Sequence, residues 1–253
     1  MLTVTDAQLT AWLSPLLWPF LRVLAMFTAA PVLSMRSVPM RVKVALAFFI
    51  ALAAQVSLPP AAAIPLDSPA ALEAVVQNLL IGLALGFAAR VVFAGIEYAG
   101  ELIGLQMGLN FAAFFDPVSA SQSTAVTRFF GSTAAWLFVV MNGHLLMTAA
   151  VIQSFQVFPV GAAPLEFLHT VQPQVWGAEV FRLGLWIALP IVTMLVFVQL
   201  MLGVISRVAS QLSIFAIGFP ITLSVGLLGI LLTLPMMEAP FTMALERMLA
   251  QFQ

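Results

Sequence analysis

The stretch EYAGELIGLQMGLNFAAFFDP, residues 97–117, decides how the rest of the chain is interpreted. In a helix, Glu101, Gly104 and Gly108 are spaced i, i+3 and i+7, and they share one face with Gly100. Small residues on one face let two helix backbones approach closely, and an acid inside apolar sequence needs a protein or water partner. The pattern predicts a helix that packs through Gly100, Glu101, Gly104 and Gly108.

The same stretch ends in aromatic residues and a helix-breaking pair. Phe111, Phe114 and Phe115 precede Asp116-Pro117, where we expect the helix to end. The polar, small residues 119–127 then read as a loop. Two interpretations of the three rings remain open: ordinary core packing, or an apolar constriction that moves as a unit at the end of a packed helix.

Composition indicates a membrane protein or a largely buried subunit. The chain has 253 residues, of which 62% are hydrophobic and 8% charged, whereas soluble domains carry about a quarter charged residues. The net charge of −1 gives no indication of nucleic-acid binding. With no cysteine and two histidines, we expect no metal site, no cofactor and no catalytic set.

Six apolar segments alternate with polar loops. A short basic n-region is missing before the first segment, so we expect no cleaved signal peptide. Residues 36–43 contain three basic residues and no acid, which predicts a cytoplasmic loop and places both termini outside. Arg22 lies inside the first segment and should face protein. The segments are residues 10–35, 44–58, 73–90, 129–151, 183–206 and 212–234.

Several motifs resemble the signature of the FliR (FliR/SpaR/YscT) family of type III secretion export-gate proteins. A second resemblance covers residues 207–220, RVASQLSIFAIGFP, although Ser210 and Ser213 replace the family's usual Pro and Asn. The matching residues in the first block are Ala99-Gly100-Glu101, Ile103-Gly104, Gln106-Met107-Gly108, Phe111-Ala112 and Asp116-Pro117. Those in the second block, which we expect to form a turn motif, are Arg207, Gln211, Phe215, Gly218, Phe219 and Pro220.

This resemblance implies an all-α, membrane-associated subunit with many kinked helices, arranged as hairpins in an export gate. Residues 1–172 would be a FliP-like part, with a plug segment near 107–120, and residues 173–253 a FliQ-like hairpin. The implied partners are FliP and FliQ homologues, an FlhB homologue, lipid and unfolded flagellar proteins in transit, at the flagellar basal body in the bacterial inner membrane. The implied pore or plug residues are Met107, Phe111, Phe114, Phe115, Asp116 and Pro117.

A transporter is the alternative from another class of function. An ion- or solute-coupled secondary transporter would bind its substrate at broken helices near the midplane and should show an internal repeat. Residues 1–126 and 127–253 show no such repeat, because the basic loop and the acidic glycine stretch each occur once.

Overall fold

The computed structural model describes residues 6–58, 64–65, 67–109, 124–161, 165–208 and 214–253, with side chains from residue 13 onward except at 166 and 214–216. Over these residues the chain is helical and contains no strand, so the all-helical prediction is confirmed. The helices of the described chain are α1 Asp6–Ala29, α2 Met40–Ala54, α3 Pro69–Gln106, α4 Ala125–Val140, α5 Gly143–Val157, α6 Glu166–Val171, α7 Trp176–Val208, α8 Ile214–Thr233 and α9 Glu238–Leu249. Short 3₁₀ turns occupy Pro173–Val175, Leu234–Met237 and Ala250–Phe252.

Three described helical stretches are long and apolar enough to cross a membrane: Pro69–Gln106, Phe167–Val208 and Ile217–Phe252. Helices α4 and α5 pass the same test only together, as one bent pair, which raises the number to four. Leu13–Ala29 is a shorter apolar helix. Length and composition thus support three or four spans in the described chain, where hydropathy suggested six apolar segments.

One helix is much longer than its predicted segment, and another predicted segment is broken. Helix α3 continues without a break through Arg90 to Gln106, although Arg90 was expected to end the third segment. The predicted helix over residues 129–151 is instead two helices, because Asn142 adopts a left-handed conformation with φ of 54°. Asparagine tolerates this conformation better than most residues do, so the break occurs where the chain reads Asn-Gly.

The chain divides into two compact units, which are described separately. The first comprises Met1–Val91, Phe138–Trp176 and Leu245–Gln253. Helix α3 packs against α1 in this unit with almost no space between the backbones, because a Cβ atom added to Gly86 would lie 2.7 Å from the carbonyl oxygen of Met26. Trp176 stacks on Phe87 and donates a 2.9 Å hydrogen bond to the Gln251 side chain. The C-terminal residues are therefore part of this unit's core.

The second unit comprises Val92–Leu137 and Gly177–Ala244. Within it, α7 packs on the second half of α3, where Phe181 meets Tyr98 edge to face with ring centroids 5.2 Å apart. Helices α7 and α8 form a hairpin, in which the Met194 side chain lies against Gly229. The predicted division at residues 172 and 173 follows the family resemblance rather than these contacts, and it stays a prediction.

Candidate functional site

The glycine face of α3 packs against α4 of the same chain. A Cβ atom on Gly100 would lie 2.9 Å from the Cα atom of Thr127 and 3.1 Å from the carbonyl oxygen of Val126. One on Gly104 would lie 3.0 Å from the Thr124 hydroxyl oxygen. Real Cβ atoms rarely come this close to backbone, so position 100 needs hydrogen as its side chain, whereas a larger residue at position 104 would displace the Thr124 hydroxyl. The helix that the glycine face meets in this structure is therefore α4.

Glu101 anchors the first turn of α4 through hydroxyl groups. The Thr127 hydroxyl donates a 2.7 Å hydrogen bond to Oε2 of Glu101. Since that hydroxyl has only one proton, the 2.7 Å contact between the Thr124 and Thr127 hydroxyls uses the Thr124 proton. The Thr124 oxygen in turn accepts the backbone N–H of Thr127 at 3.1 Å, as an N-cap residue does. The predicted loop over 119–127 therefore ends by residue 125, where α4 begins.

Gly108 lies just beyond the last residue of helix α3, and its predicted role in the packing face stays a prediction. Its φ of 81° is left-handed. The N–H of Gly108 donates to the carbonyl of Leu105 at 3.0 Å, and the N–H of Leu109 donates to that of Gly104 at 3.1 Å. This pair of bonds is a Schellman motif with glycine at C′. The prediction of a helix running to Asp116-Pro117 is wrong, because α3 ends at Gln106.

The end of α3 is also held by side chains of α7 and α8. Gln199 of α7 donates a 2.7 Å hydrogen bond to the backbone carbonyl of Gln106, one of the carbonyls that a helix end leaves without an intrahelical partner. The Met107 side chain is fully buried, and it lies so close to Gly226 of α8 that an added Cβ atom would be 2.5 Å from its Cγ atom. Side chains of α7 and α8 therefore hold the C-terminal end of α3 and the residue that follows it.

Comparison with known proteins connects this geometry to a family. Residues 13–248 match the family described as "Bacterial export proteins, family 1". The protein named "Flagellar biosynthetic protein FliR" of Escherichia coli (strain K12) is 45% identical over 241 residues, which cover 95% of this chain and 92% of that protein. The chain belongs to the FliR family.

Other relatives carry the same name. The FliR of Pectobacterium carotovorum is 42% identical over 244 residues, covering 95% of this chain and 92% of that protein. The FliR of Bacillus subtilis is 28% identical over 211 residues, covering 81% and 80% respectively. The resemblance inferred from the motifs is confirmed, and the chain is a component of the flagellar export apparatus with apolar helices suited to a membrane.

The remaining plug residues predicted from the family lie outside the described residues. They are Phe111, Phe114, Phe115, Asp116 and Pro117. The structure describes the chain up to Leu109 and again from Thr124. Of the predicted pore or plug group, Met107 alone is described, and in this chain it packs on α8.

The second family motif is divided between two helices. Arg207 is exposed in the last turn of α7, whereas Gly218 is buried within α8 and followed there by exposed Phe219 and Pro220. Gln211 lies outside the described residues, and Phe215 is part of α8. The Gly-Phe-Pro end of the expected turn motif is therefore helical, and residues 209–213 of the motif lie outside the described residues.

A buried arginine in the first unit is confirmed to face protein, but its partners were missed. The Arg22 side chain donates to Asn78 Oδ1 at 2.9 Å, to Ser154 Oγ at 2.9 Å and to the carbonyl oxygen of Phe158 at 3.0 Å. Its guanidinium also stacks 3.6 Å from the ring centroid of Phe155. Arg22 is 0% exposed, and these contacts join α1, α3 and α5. No sequence spacing connects residues so far apart along the chain.

Proposed function

We propose that this chain is a structural and gating subunit of the flagellar type III export gate, which forms part of the entry pore for unfolded flagellar proteins. FliP and FliQ homologues would complete the pore, an FlhB homologue would contact it, and the assembly would sit in the inner membrane at the flagellar basal body. Membership of the FliR family supports the export role.

One structural observation carries the gating part of this proposal: both flanks of residues 110–123 are fixed. On one flank, the Schellman motif at Gly108, the bond from Gln199 and the burial of Met107 hold the end of α3. On the other, the Thr127–Glu101 bond holds the first turn of α4 to α3. A segment with fixed ends can change conformation without disturbing the helices that carry it.

The sequence between these flanks suits a gate. Its three phenylalanines could close a narrow apolar neck, which excludes ions by dewetting. Changes of aromatic rotamer would let an unfolded chain pass without rearrangement of the helices. We propose Phe111, Phe114 and Phe115 as the rings of this plug, with the break at Asp116-Pro117 behind them.

The test measures complex yield and ion conductance on the same preparations. Phe114→Ala/Phe115→Ala should leave the yield of the complex unchanged and make the membrane leak ions. Phe197→Ala is the control, since this ring is 64% exposed on α7, well separated in sequence from the segment. A normal yield with no added leak would contradict gating, and a collapsed yield would favour ordinary core packing, which costs about 3–5 kcal/mol per lost Phe.

Purification of the protein in mild detergent distinguishes an export-gate subunit from a transporter. A gate subunit should co-purify with smaller hydrophobic partners and lose stability without them. A chain that is stable alone and binds an ion or solute would support the transporter instead.

A further inference from the structure

Helices α1 and α2 border an open groove that is apolar except at one end. The groove has a volume of about 610 Å³ and is lined by Phe20 of α1 and by Val44, Phe48 and Phe49 of α2, with Arg41 at the N-terminal end of α2. The groove lies within the first unit, and it is separate from the α3–α4 contact proposed to support the gate.

The surface around the groove is apolar as well. Phe49 is 64% exposed, and Leu46 and Leu52 are exposed on neighbouring turns of α2. A helix of 15 residues with this much exposed apolar surface is unsuited to water. The groove is therefore suited to contact with apolar material.

The charge at its end is positive and uncompensated. The sequence has no acid between Asp6 and Asp67, while it has Arg36, Arg41 and Lys43. None of these three cations forms an ion pair among the described residues. The first turn of α2 has no acid either, although the helix macrodipole disfavours cations at this end. An anion beside Arg41 would offset both effects.

We infer that this groove binds one anionic phospholipid, with the phosphate on the Arg41 guanidinium and an acyl chain along Val44, Phe48 and Phe49. Arginine offers a planar pair of donors that matches phosphate oxygens. From Arg41 to Phe49 the helix rises about 12 Å, which is a substantial part of an acyl chain's length. A partner helix fits less well, because helices in membranes approach each other through small residues and this groove is lined by bulky rings.

The experiment is lipid titration of the full-length protein in nonionic detergent, with bound lipids counted by native mass spectrometry. The probes are palmitoyl-oleoyl phosphatidylglycerol and the zwitterionic palmitoyl-oleoyl phosphatidylcholine. We expect phosphatidylglycerol to bind at least about fivefold more tightly, and Arg41→Gln to remove about fivefold of that preference. Arg41 is exposed, so its substitution should leave the fold intact.

Two matched controls distinguish binding at a defined site from a general effect of surface charge. Arg36→Gln removes a nearby cation that does not line the groove, and it should change the preference less than twofold. Ala45→Trp fills the groove, whereas Leu46→Trp on the adjacent exposed position does not. If Arg36→Gln and Arg41→Gln lowered the preference for phosphatidylglycerol equally, or if Ala45→Trp bound lipid as tightly as the unchanged protein, the proposed site would be contradicted.

A crosslinking experiment in cells identifies the occupant. A photoreactive residue at position 45 should capture phospholipid. Capture of another protein subunit by position 45, in place of lipid, would also overturn the inference, because the groove would then be a subunit interface. Neither result depends on whether residues 110–123 form a gate.

Discussion

The side-chain amide of Gln199 donates a 2.7 Å hydrogen bond to the backbone carbonyl of Gln106, the last residue of α3. The two residues are 93 positions apart along the chain. The bond joins α7 to the point where the chain leaves α3, and Gln199 lies outside both family motifs.

Loss of this bond should lower stability by a small but measurable amount. Gln199→Leu removes the donor, which is worth about 0.5–1.5 kcal/mol and corresponds to a fall of about 1–6 °C in Tm. Gln156→Leu is the control, because this exposed glutamine has no side-chain hydrogen bond among the described residues. Equal Tm values for the two variants would show that the Gln199 bond contributes nothing.

Alanine scanning of three glycines should rank them by the space around each. Gly100→Ala should destabilise by about 1–3 kcal/mol because its methyl group meets backbone. Gly104→Ala should cost less, since its methyl group meets a hydroxyl that can rotate. Gly203→Ala should stabilise by up to about 1 kcal/mol, because Gly203 lies within α7 with no atom within 4 Å of an added Cβ.

The measurement is thermal unfolding of the isolated chain in detergent. Because the glycine face packs on α4 of the same chain, the losses should appear without any partner subunit present. A loss of complex yield with unchanged stability of the isolated chain would place the glycine contact between subunits instead. Gly104→Leu, the larger change, should prevent both folding and assembly.

Arg22 should tolerate no single replacement. Arg22→Met leaves Asn78, Ser154 and the carbonyl of Phe158 without their donor and should cost about 1–3 kcal/mol for each buried acceptor left unsatisfied, measured by thermal unfolding. Arg22→Lys should also destabilise, since an ammonium cannot reproduce the fork of guanidinium donors.

Two further variants check the Arg22 explanation. Arg22→Met/Asn78→Leu/Ser154→Ala should recover part of the loss, because two of the unsatisfied polar groups are then gone. Arg182→Met, which breaks an ion pair of 2.9 Å with Glu179 at an arginine side chain that is 58% exposed, should cost at most about 1 kcal/mol. A triple variant no more stable than Arg22→Met would contradict the explanation.

Cysteine labelling tests the predicted orientation. The chain has no native cysteine, so a single introduced thiol reports one position. Ser37→Cys, in the exposed basic loop before α2, should react only with reagent on the cytoplasmic side. Asp67→Cys, exposed after α2, should react only from the periplasmic side. Labelling of both from the same side would show that α2 does not cross the bilayer.

The sequence predicted which nearby residues share a packing face better than it predicted where the helices end. Gly100 and Gly104 were predicted to pack because helical periodicity places them on one face, and the structure brings that face onto α4. Gly108 fits the same period, yet a glycine serves equally well as a packing residue or as a left-handed cap. Periodicity alone does not distinguish these roles.

Two other features depended on information that the local pattern lacks. Asn142-Gly143 is a turn signal that was outweighed by the apolar residues on both sides, and it breaks the predicted helix. Arg22 was predicted to face protein because a charge in apolar sequence needs a partner. Its partners are 56 to 136 residues away, so only the tertiary structure identifies them.

The same separation has a consequence for biosynthesis. The last acceptor of Arg22, the carbonyl of Phe158, is made 136 residues after the arginine itself. At about 5–20 residues per second, the ribosome needs about 7–27 s to reach it. During that interval a positive charge in α1 has no complete set of acceptors. We therefore expect the nascent first helix to stay at the translocon or the membrane surface until α5 is synthesised, so that α1, α3 and α5 insert as a group.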